Sequence, residues 1–222
     1  MQLPSEMNSI AARIAGRRLT ARESEYAGEV RRLLDAGLAV MRRCGTTSRP
    51  RVSDVVAAAG LSNEAFYRHF PSKDALVAAI LEDGTERLRS YLAHQMAKEA
   101  TPEARVRRWV EGVLSQATDE DVAATTLAVL WNGDSLGEGS LPGRPSPAGP
   151  LATLLVGPYA ALGSPAPALD AALAAHAVIG RLSDHLWGRV PPTRAEVDRV
   201  ARVCLAMAAA PDDPTDRTEA RP

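Results

Sequence analysis

Cysteine, aromatic residues and long apolar runs are all scarce in this chain of 222 residues. Its two cysteines, Cys44 and Cys204, lie far apart and lack any CxxC or Cys/His spacing. This excludes a disulfide-stapled small protein, and we expect both thiols to be buried. Aromatic residues make up only 4% of the chain, and no run of alternating β-branched residues occurs, so nothing favours a β-sheet.

A membrane-spanning segment and a secretory signal are also missing. The most apolar stretch, residues 169–180, is interrupted by Asp170 and His176 and is shorter than the about 20 residues that cross a bilayer. The amino-terminal residues have no continuous apolar core followed by a cleavage site of small residues. These absences predict a cytoplasmic protein.

Net charge is close to zero, at −1, but the charges are unevenly distributed. Residues 1–73 contain 12 of the 26 Lys+Arg and 7 of the 27 Asp+Glu, a balance of +5 that leaves −6 for the remainder. A basic amino-terminal part joined to an acidic remainder indicates that one end of the molecule contacts phosphates.

What the sequence does contain is helical periodicity throughout, which predicts an all-α protein. A capping box formed by Thr20 and Glu23 predicts the start of the first helix, and Thr101 and Thr193 are further caps. The later helices are expected at 52–59, 63–70, 72–100, 102–117, 120–131, 151–162, 167–187 and 194–209.

Four segments follow from this pattern. Residues 1–19 are predicted to be a flexible basic arm, residues 20–71 a three-helix domain, and residues 72–210 a larger helical body. Residues 211–222 are predicted to be a disordered tail. Within the body, the Gly/Pro/Ser-rich stretch 133–150 is expected to lack regular structure.

Residues 51–76 have the pattern of a helix-turn-helix. An apolar face on the first short helix ends at Gly60, where a left-handed residue turns the chain. Ser62 caps the second helix, and Phe66 and Phe70, four residues apart, anchor that helix to the core. Its other faces carry residue types that contact DNA, namely Asn63, Ala65, Tyr67, Arg68 and His69.

Lys73 lies in the first turn of the long helix that follows. The free backbone N–H groups there and the lysine charge favour binding of a phosphate.

Two runs of residues resemble the DNA-binding region of the TetR family. They are Val52-x-Asp54-Val55-x-x-x-Ala59-Gly60-Leu61-Ser62 and Phe66-Tyr67-x-His69-Phe70-Pro71-Ser72-Lys73-Asp74-x-Leu76. With the preceding helix, the resemblance covers about residues 24–80, and beyond that it concerns only the arrangement of helices. It implies a DNA-binding transcriptional regulator with an N-terminal three-helix helix-turn-helix domain and a C-terminal bundle for ligand binding and dimerisation.

The resemblance also implies roles for individual residues, with 63–69 as the recognition helix. Asn63, Glu64, Ala65 and Arg68 are expected to reach base edges or the neighbouring backbone, with Ser62 beside them at the start of the helix. Tyr67, His69 and Lys73 match positions that bind phosphate. Two residues depart from the family pattern: Arg51 replaces a Ser or Thr cap but adds a cation near DNA, and Val56 replaces an alanine. Glu64 either accepts a hydrogen bond from a cytosine amino group or repels phosphates.

The helix at 167–187 is apolar nearly all round, which predicts that a second subunit covers one of its faces. A homodimer through this helix and the next is expected. Its two DNA-binding domains would lie about 34–36 Å apart on a palindromic operator. The predicted interface residues are Leu169, Leu173, His176, Val178, Leu182, Val197, Val200 and Cys204.

A small-molecule effector of unknown class is implied by the family resemblance. The candidate contacts are Tyr91, Gln95, Trp109, Trp131 and Tyr159, each of which is otherwise a core residue. No cofactor and no metal site are predicted, because His94 and His176 have no Cys, Asp or Glu partner at ligand spacing.

Two alternatives to a ligand-responsive repressor remain open. One is a DNA binder that is constitutive or controlled by a partner. The other is an esterase that uses Ser135 in the tetrapeptide Gly133-Asp134-Ser135-Leu136, although this serine follows a predicted helix and lacks the later Asp-x-x-His pair of such enzymes. No enzymatic activity is expected.

Overall fold

The computed structural model describes residues 10–134 and 146–208, and this part of the chain contains nine α-helices and no strand. The all-α prediction is therefore confirmed. The helices are α1 (Ile10–Cys44), α2 (Val52–Ala59), α3 (Asn63–His69), α4 (Lys73–Met96), α5 (Pro102–Leu114), α6 (Glu120–Asp134), α7 (Ala148–Ala161), α8 (Pro167–Gly188) and α9 (Arg194–Ala206).

The start of α1 differs from the prediction. The helix begins at Ile10, ten residues before Thr20, so Thr20 lies inside it and residues 10–19 are helical and not an arm. This stretch contains three alanines, three arginines and no proline, and alanine and arginine propagate a helix at little cost. Residues 1–9 and the predicted tail 211–222 lie outside the described residues, as does most of the stretch 133–150.

The predicted helix caps Ser62, Thr101 and Thr193 are present, and Ser72, expected as the first residue of its helix, is a further cap. The hydroxyls of Ser62 and Ser72 each accept from the backbone N–H three residues later at 3.1 Å, and Thr101 and Thr193 do the same at 3.2 Å. These bonds satisfy backbone donors that the helix itself cannot pair. The short-range signals in the sequence therefore placed the starts of α3, α4, α5 and α9 correctly.

Two hydrophobic cores share α4. The amino-terminal core joins α1, α2 and α3 to the first half of α4 through buried side chains such as Leu33, Phe66 and Leu76. The second core fills the body, and it contains Leu92 from the other half of α4. One continuous helix therefore contributes side chains to both cores.

Candidate nucleic-acid interface

The turn between α2 and α3 is built around Gly60. This residue has φ 63° and ψ 37°, the left-handed conformation that glycine adopts without steric cost. The N–H of Leu61 donates to the carbonyl of Val56 at 3.0 Å and closes the turn. The turn sets the angle at which α3 leaves α2, and with it which α3 side chains face solvent.

The outward face of α3 is polar and accessible. Asn63, Glu64, Tyr67 and Arg68 are exposed, and the Tyr67 side chain leaves the phenol in solvent at 57% relative exposure. These four of the predicted α3 contacts thus lie on the surface.

Two cations lie on neighbouring elements. Arg51 is exposed at the amino-terminal end of α2, where its side chain makes no cap hydrogen bond. Lys73 is half-buried at the first residue of α4, beside free backbone N–H groups. An anion at either helix end gains both the side-chain charge and the helix dipole.

The structure contradicts two of the predicted contacts. Ala65 is only 4% exposed and packs inward, so it cannot touch a base edge. The His69 side chain is fully buried, with Nε2 2.6 Å from Oε2 of Glu29, and so cannot bind a phosphate. Since a carboxylate only accepts, Nε2 donates this bond. His69 is on the inner side because α3 packs there against Glu29 and Tyr26 of α1, and Ala65 is buried in the first turn of the same short helix.

Glu29 of α1 is the residue at this site that sequence reasoning missed. It accepts from His69 and, at 3.3 Å, from Nη1 of Arg68. The hydrogen bond from His69, and next the charge of Arg68, hold the pKa of the Glu29 carboxyl below its usual value. Tyr26, one turn earlier on α1, packs edge-on against the His69 ring at 4.3 Å. Forty residues separate Glu29 from its partner, so no local pattern predicts the contact.

A cavity of about 610 Å³ lies between the amino-terminal core and the body. Its walls come from α1, α4, α5, α6, α7 and α8, and are mainly aliphatic. Tyr91 is the only one of the five predicted ligand residues that lines it within the described part of the chain.

The other four predicted ligand residues have different environments. Trp109 and Tyr159 are fully buried, and each uses its polar atom inside the core: Trp109 Nε1 donates to the carbonyl of Leu151 at 3.1 Å, and the Tyr159 hydroxyl donates to that of Cys204 at 2.8 Å. Burial raises the pKa of the Tyr159 phenol. Gln95 and Trp131 do not line the cavity, and Trp131 lies beside Arg49. Trp109 and Tyr159 lie in the core because large aromatic side chains bury much apolar surface.

The predicted dimer residues divide into two groups. Leu169, Leu173 and His176 are exposed on one face of α8, and Trp187 continues that face at 49% exposure. Val178, Leu182 and Cys204 are buried within the chain, so they cannot contact a second copy, and Val197 and Val200 are half-buried. The opposite face of α8 packs mainly against α7, which takes Val178 and Leu182 out of reach.

Comparison with known proteins identifies the amino-terminal domain. Residues 33–80 match the model of the bacterial regulatory proteins of the tetR family. The chain carries a TetR-family DNA-binding domain. The match covers α2, α3 and the parts of α1 and α4 that form the amino-terminal core, and this is the region where the sequence resembles the family.

Solved structures extend the likeness to the whole TetR-type fold. A putative TetR-family regulator from Mesorhizobium loti is 16% identical with a TM-score of 0.58, over 82% of this chain and 96% of that one. The reduced form of NemR from E. coli is 16% identical with a TM-score of 0.59, over 81% and 99%. FadR from Bacillus subtilis, in complex with stearoyl-CoA, is 15% identical with a TM-score of 0.52, over 81% and 97%. No curated protein sequence matches the chain.

The fold is therefore that of the TetR-type DNA-binding regulators. No helix in the described ranges is long and apolar enough to cross a membrane. No group of three or more His, Cys, Asp or Glu side chains in the same ranges is arranged to bind a metal. Ser135 and Leu136 of the esterase-like tetrapeptide lie outside the described residues, after Gly133 and Asp134 at the end of α6.

Proposed function

We propose that this TetR-type regulator represses transcription by binding a palindromic operator as a homodimer, and that a small molecule in the cavity releases it. The supporting observation is the polar face of α3, on which Asn63, Glu64, Tyr67 and Arg68 are accessible between the cations Arg51 and Lys73. A helix with such a face fits the major groove, while the flanking cations bind the two phosphate backbones.

Different residues of this face serve affinity and specificity. Asn63, Glu64 and Arg68 have the donors and acceptors that distinguish base pairs in the major groove. Tyr67, Arg51 and Lys73 bind phosphates and so set the position of α3 on the duplex. In the free protein, Glu29 on α1 forms an ion pair with Arg68. Arg68 therefore contacts a base either after this ion pair opens or in the orientation that the ion pair gives it.

Dimerisation is proposed through the exposed face of α8. Leu169, Leu173 and Trp187 leave an apolar stripe in solvent, and His176 and Gly180 lie between them on the same side of the helix. An apolar stripe of this kind on a surface marks an association site. Two copies related by a two-fold axis would place two α3 helices on successive major grooves, about 34–36 Å apart.

The release step is proposed to act through α1 and α4. Leu34 and Leu38 of α1 line the cavity together with Ile80 and Leu88 of α4, so a molecule in the cavity touches the helices that support α3. A bound molecule would favour the relative arrangement of the two DNA-binding domains in which the cavity is wider. Operator affinity then falls by the ratio of the ligand's affinities for the two arrangements.

Selection of bound fragments from a pool of random duplex DNA, with the purified chain, tests operator recognition. We expect a short palindrome to be enriched. Tyr67→Ala and Lys73→Ala should each weaken its binding, because each variant loses a phosphate contact. Only Lys73→Ala should also reduce the salt dependence of the affinity, because it alone removes a cation. Thr153→Ala, an exposed change on α7, is the matched control. Enrichment without a palindrome, or no sequence preference, would contradict the proposal.

A further inference from the structure

The charges around the cavity neutralise one another. In the part of the chain that the structure describes, the charged lining residues are Arg31, Arg42, Arg87, Asp83 and Asp121. Asp83 pairs with Arg31 at 3.0 Å and with Arg87 at 2.9 Å, and Arg42 pairs with Asp121. Asp35, 2.6 Å from Arg31, supplies the third carboxylate for the three arginines. No described charge is therefore left over to balance a charged ligand.

The uncharged polar side chains of the cavity differ from one another in their bonding. The hydroxyls of Thr85, Ser115 and Thr125 donate to backbone carbonyls three or four residues earlier, at 2.7–2.8 Å. The side chains of Gln116 and Thr126, both half-buried, make no hydrogen bond with any other described residue. An amide and a hydroxyl in a cavity with mainly aliphatic walls bind a carbonyl or hydroxyl group of a ligand.

We propose that the cavity binds an electrically neutral, largely apolar molecule with one carbonyl or hydroxyl group, which Gln116 and Thr126 bind. The proposal rests on the proposed function in taking this cavity as the effector site. A volume of about 610 Å³ lies within the range of small-molecule sites. An anionic ligand would have to compete with a carboxylate for one of these partly exposed arginines, or enter the aliphatic part of the cavity without a counter-ion. The second outcome costs the most binding free energy.

Displacement of the neutral dye Nile red from the purified full-length chain tests the ligand class. Decan-1-ol, methyl decanoate and sodium decanoate are compared as competitors at neutral pH. We expect the alcohol and the ester to displace the dye at a concentration about tenfold or more below that of the carboxylate. Equal displacement by decanoate, or no binding of Nile red, would overturn the proposal.

Variants place the dye and the competitors in this cavity. Thr126→Trp fills the space and should reduce Nile red and decan-1-ol affinity about tenfold or more, whereas Thr153→Trp on the exposed side of α7 should change neither. Helix content by circular dichroism shows whether each variant is folded. Unchanged affinity in a folded Thr126→Trp would overturn the proposal.

A gentler variant covers the case in which Thr126→Trp does not fold. The double variant Gln116→Leu with Thr126→Val keeps the side-chain volume approximately and removes both polar groups. Decan-1-ol should bind several-fold more weakly to it while decane binds at least as well, and loss of both in equal measure would contradict the assigned roles. No DNA is present in these measurements, so they can fail while operator selection succeeds, or succeed while it fails.

Discussion

At the scale of single residues, the orientation of α3 depends on Gly60, whose positive φ ends α2 and sets the direction in which α3 begins. The space around its Cα is empty, so any penalty for a side chain there is conformational and not a clash. The same residue type at Gly28, in the middle of α1 with nothing within 4 Å, has an ordinary helical backbone. Substituting Gly60 therefore measures the cost of a side chain in the left-handed conformation, and substituting Gly28 measures the cost of glycine flexibility within a helix.

Gly60→Ala should lower the free energy of unfolding by about 1 kcal/mol, because an L-residue is strained in the left-handed region. Gly28→Ala should raise it by up to about 1 kcal/mol, because alanine favours a helix over the unfolded chain. Urea unfolding followed by circular dichroism measures both. A Gly60→Ala protein that is as stable as the unsubstituted chain would show that the turn does not require this conformation.

At the scale of elements, α1 and α4 are joined by an ion-pair cluster as well as by their apolar contact. Arg31 bridges Asp35 on its own helix and Asp83 on α4, and Arg87 adds a second contact to Asp83. The hydrogen bond from Arg31, more than the surrounding charges, holds the pKa of the Asp83 carboxyl below its usual value. Since Asp83 also lines the cavity, the link between the helices runs beside the proposed ligand.

A lowered pKa in the folded state means that Asp83 contributes stability above the pKa of the unfolded chain, about 3.9, and that this contribution is lost as the pH falls further. Asp83→Asn should therefore be less stable than the unsubstituted chain at neutral pH, by less than about 1 kcal/mol because the partners are partly exposed to solvent. The difference should shrink below about pH 4.

Urea unfolding at a series of pH values measures this difference. Asp35→Asn is the matched control, since Asp35 contacts Arg31 within α1 and reaches α4 only through Arg87 at 3.9 Å. The control should lose less stability. A difference between Asp83→Asn and the unsubstituted chain that stays constant down to the lowest pH would contradict the assignment.

At the scale of the whole molecule, α8 separates an inner face of buried residues from an outer apolar stripe. Ala171, Ala174 and Val178 are fully buried against the rest of the chain, whereas Leu169, Leu173 and Trp187 are about half exposed. A helix that is apolar on both sides needs a partner on each. In the monomer only one of those partners is present.

Leu173→Arg should shift the chain to a monomer at micromolar concentration, because a buried unpaired charge opposes association. Sedimentation velocity of the full-length chain measures the change, with Ser90→Arg on an exposed part of α4 as control. An unsubstituted chain that is monomeric under the same conditions would rule out the proposed dimer.

Local features of this protein were determined by the sequence. The helix-turn-helix at residues 51–76 and the caps at Ser62, Thr101 and Thr193 were predicted as they occur, because a cap or a turn depends on neighbours within a few residues. The start of α1 was predicted wrongly for a related reason: a capping-box pattern is compatible with a helix interior.

Only the tertiary structure decided which side of each helix is buried. His69 points to Glu29 because α1 lies against α3, and Trp109 and Tyr159 fill the body core, so the cavity is walled by aliphatic side chains from six helices. Val178 and Leu182 pack inward and leave Leu169 and Leu173 on the surface of α8. These outcomes depend on contacts between residues far apart in the chain. The hydrophobic periodicity of one helix does not predict where the next helix packs against it.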